Sequence, residues 1–151
     1  MRRKDREMPE EFAWEVADKC EWAVLGMTDQ DGGPYCVPVT IAREGKTVYF
    51  HSARAGRKVD CLRGDPRVCV TCVGDTERAR DKFTTKFESA VMFGRAREVE
   101  DREEKVHALR LICQRHTPEN MGNFDEAIEK SLGVTAVWRV DVEEITGKCK
   151  K

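Results

Sequence analysis

The sequence predicts a mainly β fold, a six-stranded antiparallel barrel with flanking helices. Six stretches carry strand-like apolar alternation, turn-forming clusters punctuate them, and only four segments read as helix. An antiparallel sheet of this kind removes its exposed edges by closing on itself. At 151 residues the length fits a single domain able to bury a core without disulfide or metal staples.

Residues Met1 to Glu7 are almost all charged and are expected to form a frayed arm. A helix should run from Pro9 to Cys20, with Pro9 suited to the first turn and Glu10 and Glu11 favoured by the helix dipole. Phe12, Val16 and Cys20 make its apolar face, which reads as a lid on the barrel. Trp22–Thr28 and Tyr35–Arg43 then form a hairpin around Asp29-Gln30-Asp31-Gly32-Gly33-Pro34. Pro38 cannot donate to a ladder, so it belongs at an edge or bulge. The tight turn Glu44-Gly45-Lys46 leads into Thr47–Ser52, whose Val48, Phe50 and Ser52 share one face and Tyr49 and His51 the other.

A short helix ends at Gly64, before Asp65-Pro66. Arg67–Val73 is the fourth strand, Gly74–Lys82 a polar loop, and Phe83–Glu100 a long fifth strand in which Gly94 marks a bulge or bend. Asp101 caps a helix to His116, with Val106, Leu109, Ile112, Cys113 and His116 as its stripe. Asn123 and Glu126 suggest a capping box on a second helix ending at Gly133. The last strand, Val134–Ile145, sets Val134, Ala136, Trp138, Val140 and Val142 against Arg139, Asp141 and Glu143, before a basic tail.

Charged residues make up 36% of the chain yet sum to a net charge of −1, against a surface selected for nucleic acid or anionic lipid. Seven cysteines cannot all pair, and a charged start rather than a signal peptide points to a reducing cytoplasm. No apolar run reaches the roughly 20 residues that cross a bilayer.

The stretch Val48–Val68 carries the chemistry. A helix start exposes unpaired N–H groups and partial positive charge, so Gly56, Arg57 and Lys58 form a seat for a phosphate, weighed against a merely solvated helix start. Ser52 is placed to cap that helix, to touch a ligand, or both. His51 is either a hydrogen-bond or proton donor to a substrate or a structural residue of an interface, while His107 and His116 read as structural. Cys69 and Cys72, three apart on a strand, face opposite sides and do not converge as a redox or metal pair. No His, Cys and Asp cluster offers a metal site.

The order of motifs resembles the split-barrel flavin-binding family related to pyridoxamine 5′-phosphate oxidase, and within it the nitroimidazole-resistance branch. The likeness rests on Pro34-Tyr-Cys-Val-Pro-Val39, Tyr49-Phe50-His51-Ser52-Ala53 with Gly56-Arg57-Lys58, Asp65-Pro66-Arg67-Val68-Cys69, Phe83-Thr84-Thr85 with Ser89 and Phe93-Gly94, and Glu143-Glu-Ile-Thr-Gly-Lys148. It implies one FMN-binding split-barrel domain over residues 1–151, assembled as a homodimer with the flavin at the subunit interface. Val39 and Thr40 would meet the flavin ring edge, and His51, Ser52 and Ala53 would line the ring or ribityl chain. Arg57, Lys58 and Ser89 would hold the phosphate, with His51 the candidate catalytic residue. FAD could stand in for FMN, and NAD(P)H is the possible electron donor. The expected activity is reduction of nitroaromatics or other small electrophiles; the alternatives are a flavin carrier or redox sensor without turnover, and a flavin reductase. The tail Gly147–Lys151 lacks the arginine with which pyridoxamine phosphate oxidases hold their substrate, which directs away from that reaction.

Overall fold

Two residues, Thr40 and Ile41, are all that separate the two edges of the sheet. The computed structural model describes residues 1–151. In chain order the elements are β1 (Glu7–Met8), α1 (Glu10–Lys19), β2 (Ala23–Thr28), β3 (Pro34–Val39), β4 (Ala42–Glu44) and β5 (Thr47–Ala53). They continue with α2 (Arg57–Gly64), β6 (Arg67–Ala79), β7 (Thr84–Glu98), α3 (Arg102–His116), α4 (Phe124–Ser131) and β8 (Thr135–Lys150). The strands form one eight-stranded antiparallel sheet in the order β3-β2-β6-β7-β8-β5-β4, with β1 also paired to β8. Its terminal strands β3 and β4 are consecutive in sequence, so the sheet curls until its edges nearly meet, and it stays open there as a split barrel.

The predicted second strand, Tyr35–Arg43, is therefore two strands serving opposite edges, which raises the count from six to eight together with β1. Ile41 leaves the ladder at the break, and its carbonyl accepts instead from Arg115 Nη1 (2.8 Å) and His116 Nε2 (2.8 Å) on α3. A buried carbonyl left bare costs about 1–3 kcal/mol, so these side chains stabilise the break.

Inside the barrel lies one core of 23 buried residues, including Leu25, Val48, Phe50, Val70, Met92, Trp138 and Val140. Phe50 and Trp138 stack across the β5–β8 pair, with ring centroids 6.5 Å apart and planes at 11°. α1 covers this core with Ala13, Val16 and Ala17; of its predicted face Val16 and Cys20 are buried, while Phe12 is only partly so. A second cluster of 10 buried residues sits outside the sheet, where Tyr49 and Val137 pack beneath Ala108, Leu109 and Ile112 of α3 and Phe124 and Ile128 of α4. The two faces of β5 thus divide as the alternation requires, Val48 and Phe50 inward and Tyr49 and His51 outward.

Polar strand pairing accounts for most of the remaining differences. Residues Gly74–Ala79 are not a loop but continue β6, paired to β7 across a register shift between Val73 and Thr76. The basic tail is likewise strand: Lys148 pairs with Ser89, and Lys150 with Phe87. Glu7 and Met8 pair with Lys148 and Gly147, so this end of the expected frayed arm is tied down. These stretches have no regular apolar face; backbone ladders recruit them, helped by ion pairs such as Lys19 with Asp75. Val134 precedes β8 and is exposed, and Asn123 makes no side-chain cap to α4. Asp101 does cap α3, accepting from Glu104 N at 2.8 Å.

The bulge expected at Gly94 is present, as a shift in β7–β8 pairing between Phe93 and Gly94. A Cβ at Gly94 would stand 2.3 Å from the Asp141 carbonyl oxygen, backbone that cannot swing aside. Gly94→Ala should therefore lower the urea midpoint, at a cost of about 1–3 kcal/mol for overpacking. Gly64→Ala, whose Cβ meets nothing within 4 Å, should leave the midpoint unchanged or raise it; similar losses in both would count against the close approach as the cause.

Candidate functional site

Where β5 ends, α2 begins and the Thr40–Ile41 link crosses, the structure gathers a group of cations. Thr40 lies in the link before the β4–β5 ladder, which begins at the Ala42–Tyr49 pair. His116, in the last turn of α3, reaches the same corner through its bond to the Ile41 carbonyl. Burial lowers the pKa of His51, and the nearby positive charges of Lys58 and His116 push it the same way. His51 is nevertheless exposed at the surface of the chain, and with its pKa lowered the imidazole is neutral at neutral pH.

Lys58 is half-buried on the first turn of α2, its pKa lowered by burial alone. No carboxylate pairs with it, and none acts on His51. The helix starts at Gly56, whose φ of 130° is open mainly to glycine, with no side chain capping the first N–H groups. An unpaired cation beside uncapped N–H donors suits an anion such as a phosphate.

Arg57, read from the sequence as a second phosphate ligand, points elsewhere. Its guanidinium pairs with Asp29 of the β2–β3 turn, Nε to Oδ2 at 3.2 Å, and stacks 4.3 Å from the Tyr35 ring centre. Successive helix positions diverge by about 100°, so only one of two neighbouring cations can face His51. Arg57, helped by the Gln30 N–H, holds Asp29 down to about 2. The hollow on that flank of α2, edged by Asp29, Asp60, Cys61 and Asp65, is acidic and would repel an anion.

The other sequence candidates separate. Thr40 and Ala53 lie at the corner with partly or fully exposed side chains. Val39 is only 5% exposed within the barrel core, so its side chain cannot touch a ligand ring. Ser52 does not cap α2; its hydroxyl accepts from Trp138 Nε1 at 3.1 Å and donates to the Ala53 carbonyl at 2.7 Å, fixing the end of β5. Ser89 pairs with Lys148, whereas Ala53 pairs with Thr135, near opposite ends of β8. At about 3.3 Å per residue that is roughly 40 Å of strand, so the structure does not bring Ser89 and Lys58 together within one chain.

His116, read from the sequence as structural, ties α3 to the Ile41 carbonyl, and sequence reasoning overlooked Asp29 as the partner of Arg57. The only local hint of Asp29 was its turn; for His116 there was none, because its bond to the Ile41 carbonyl spans 75 residues. His107 stands on the exposed side of α3, its Nε2 2.9 Å from Glu44 Oε2. No helix is long and apolar enough to cross a membrane.

Residues 9–149 match the model of a family described as Pyridoxamine 5′-phosphate oxidase. A crystal structure of a proposed 5-nitroimidazole antibiotic resistance protein from Bacteroides thetaiotaomicron is 29% identical with a TM-score of 0.80, covering 95% of this chain and 86% of that one. The FAD and heme binding protein of Mycobacterium smegmatis shares the fold at a TM-score of 0.82 and 17% identity, over 97% of this chain and 74% of its own. An uncharacterised protein of Rhizobium meliloti is 26% identical over 125 residues, 79% of this chain and 78% of the relative.

The corner makes a direct prediction about proton binding. By NMR, His51 should titrate below the ordinary histidine midpoint of about 6.5, and Lys58→Met should move that midpoint upward by removing a nearby positive charge. An unmoved midpoint would mean that the two side chains do not face one another.

Proposed function

The chain belongs to the pyridoxamine 5′-phosphate oxidase family, and we propose that within it this protein is an FMN-dependent reductase of small electrophiles such as nitroaromatics, working as a cytoplasmic homodimer. The observation that carries the reading is Lys58, a half-buried cation without a counter-charge beside an uncapped helix start and a neutral His51. The likeness to the proposed 5-nitroimidazole resistance protein supports the substrate class. Seven free thiols suit a reducing compartment.

Lys58 and the first N–H groups of α2 would hold the flavin phosphate. Thr40, His51 and Ala53 would line the ring and ribityl side, with Ser52 holding the strand end in place through Trp138. The flavin, when bound, supplies the two-electron chemistry, taking electrons from a donor such as NAD(P)H and passing them to the acceptor. A neutral His51 can donate one N–H to an acceptor oxygen, and the charge of Lys58 favours negative charge gathering there.

The homodimer is supported by the outer face of the sheet, where Val24, Val73 and Phe93 are each more than 40% exposed. Ser89 stands on that face opposite Val73, on the surface a second copy would cover. Ser89 would then meet a phosphate only across the dimer.

Two experiments test the proposal. FMN titrated into the protein, followed by flavin fluorescence, should bind at least tenfold more weakly to Lys58→Ala and only slightly more weakly to Arg57→Ala and His51→Ala. With FMN bound, a nitroimidazole should accelerate reductant oxidation, and His51→Ala should slow that step. Stable flavin binding without acceptor-dependent turnover would favour a carrier, and turnover only with free FMN a flavin reductase. Phe93→Glu should convert a dimer to a monomer by light scattering and weaken FMN binding with it; a dimer that persists would remove this face from the reading.

A further inference from the structure

Where the barrel splits, the structure exposes a tryptophan that nothing else in the chain covers. Trp138 is stacked on Phe50, and Trp14 lies under the Arg43 guanidinium, 4.9 Å from its ring centre, and donates to Glu10 at 3.1 Å. Trp22 is 58% exposed, with neither ring face nor indole N–H taken up by another side chain. One exposed apolar ring carries no meaning by itself. Its position does.

Two ties hold Trp22 next to Thr40. On one side Ala23 pairs with Val39 in the β2–β3 ladder, so Trp22 and Thr40 leave the same end of that pair. On the other, one guanidinium holds both chain segments: Arg115 Nη2 donates to the Cys20 carbonyl at 2.7 Å and Nη1 to the Ile41 carbonyl at 2.8 Å. Trp22 and Thr40 lie between these ties, one on each segment. Ala23 and Val39 both turn into the core, 0% and 5% exposed, and side chains alternate along a strand, so Trp22 and Thr40 turn outward. The bond from His116 Nε2 to the same Ile41 carbonyl, at 2.8 Å, joins this patch to the cation corner.

We propose that Trp22 is one wall of a ring-binding subsite at the split, taking a planar, electron-poor aromatic ring against its exposed face. The indole is electron-rich, so an offset stack on a ring depleted by a nitro group, or on a flavin ring system, is favoured by burial and by charge distribution together. On the neighbouring strand, Pro38 and Thr40 are small and uncharged, which lets a flat ring approach. The cations of the corner suit the negative substituents such a ring carries. The inference rests on the corner being the ligand site of the reading above, and adds to it the residue that selects for an aromatic ring. Trp22 binds and selects; it exchanges no proton or electron.

The test titrates the full chain with FMN and then with a 5-nitroimidazole, following indole emission against free tryptophan of equal absorbance. One of these rings should quench the emission saturably, because an electron-poor ring in contact with an indole quenches it. Trp22→Leu should remove the saturable part and weaken that ring about tenfold in equilibrium dialysis, whereas Trp22→Phe should hold the affinity within about threefold. A quench by FMN alone assigns the wall to the cofactor, and one that needs the nitroimidazole assigns it to the acceptor; both support the proposal. A nitroimidazole quench in a protein that binds no FMN keeps the subsite and removes the flavin reading. FMN held through Lys58, with neither ring's affinity changed by Trp22→Leu, keeps the flavin reading and overturns the subsite. No saturable quench by either ring also overturns it. So does a Trp22→Leu protein that is monomeric by light scattering and recovers full ring affinity at high protein concentration, since Trp22 would then be a subunit contact.

Discussion

Everything at the cation corner follows from a constraint on the sheet. A curled antiparallel sheet must either close its ladder or find other partners for the backbone at its edges. This chain takes the second course with one segment, Pro34–Glu44, whose first half forms one edge and whose last residues form the other. The crossing frees the Ile41 carbonyl, and the need to satisfy it draws in Arg115 and His116. The end of α3 is pinned to the split as a result, and His116 comes to face His51. The candidate site lies where the barrel fails to close, because that is where backbone and polar side chains must stay at the surface of an otherwise apolar core.

Trp138 supplies the second anchor. It is only 2% exposed, stacked on Phe50, and its buried indole N–H requires an acceptor. Ser52 provides that acceptor and so fixes the residue directly after His51. The same bond fixes the position from which the chain turns into α2. Core packing and site geometry are thus coupled through one hydrogen bond: an apolar residue at position 138 would leave Ser52 free to move, and the spacing between His51 and Lys58 with it.

The parts of this arrangement legible in the sequence were those fixed by neighbours along the chain. The two faces of β5, the Asp101 cap and the bulge at Gly94 each follow from a residue and its immediate context. Polar strands were not legible. Gly74–Ala79 and the lysines of the tail have no buried face to produce alternation, and they become strand because a partner offers backbone groups. The break at Thr40 was hidden for the opposite reason, since Val37, Val39 and Ile41 keep alternating while the chain changes partners. Val39 was placed at the ligand from its order in the motif, and the same alternation turns its side chain into the core. Arg57 and Lys58 were indistinguishable as adjacent cations until Asp29 and Tyr35 took one of them.

Their separation changes what the corner can do. Arg57, with a carboxylate and a ring to hold it, is a strut between α2 and the β2–β3 turn. Lys58 and a neutral His51 stand together with no carboxylate acting on either, in a chain with 28 acidic residues available to pair with the cation. Burial weakens proton binding at both His51 and Lys58, the Lys58 charge weakens it further at His51, and an arriving anion would offset that charge. Such a ligand would raise the proton affinity of His51 and Lys58 together, so binding an anion and readying His51 to donate a proton become one event.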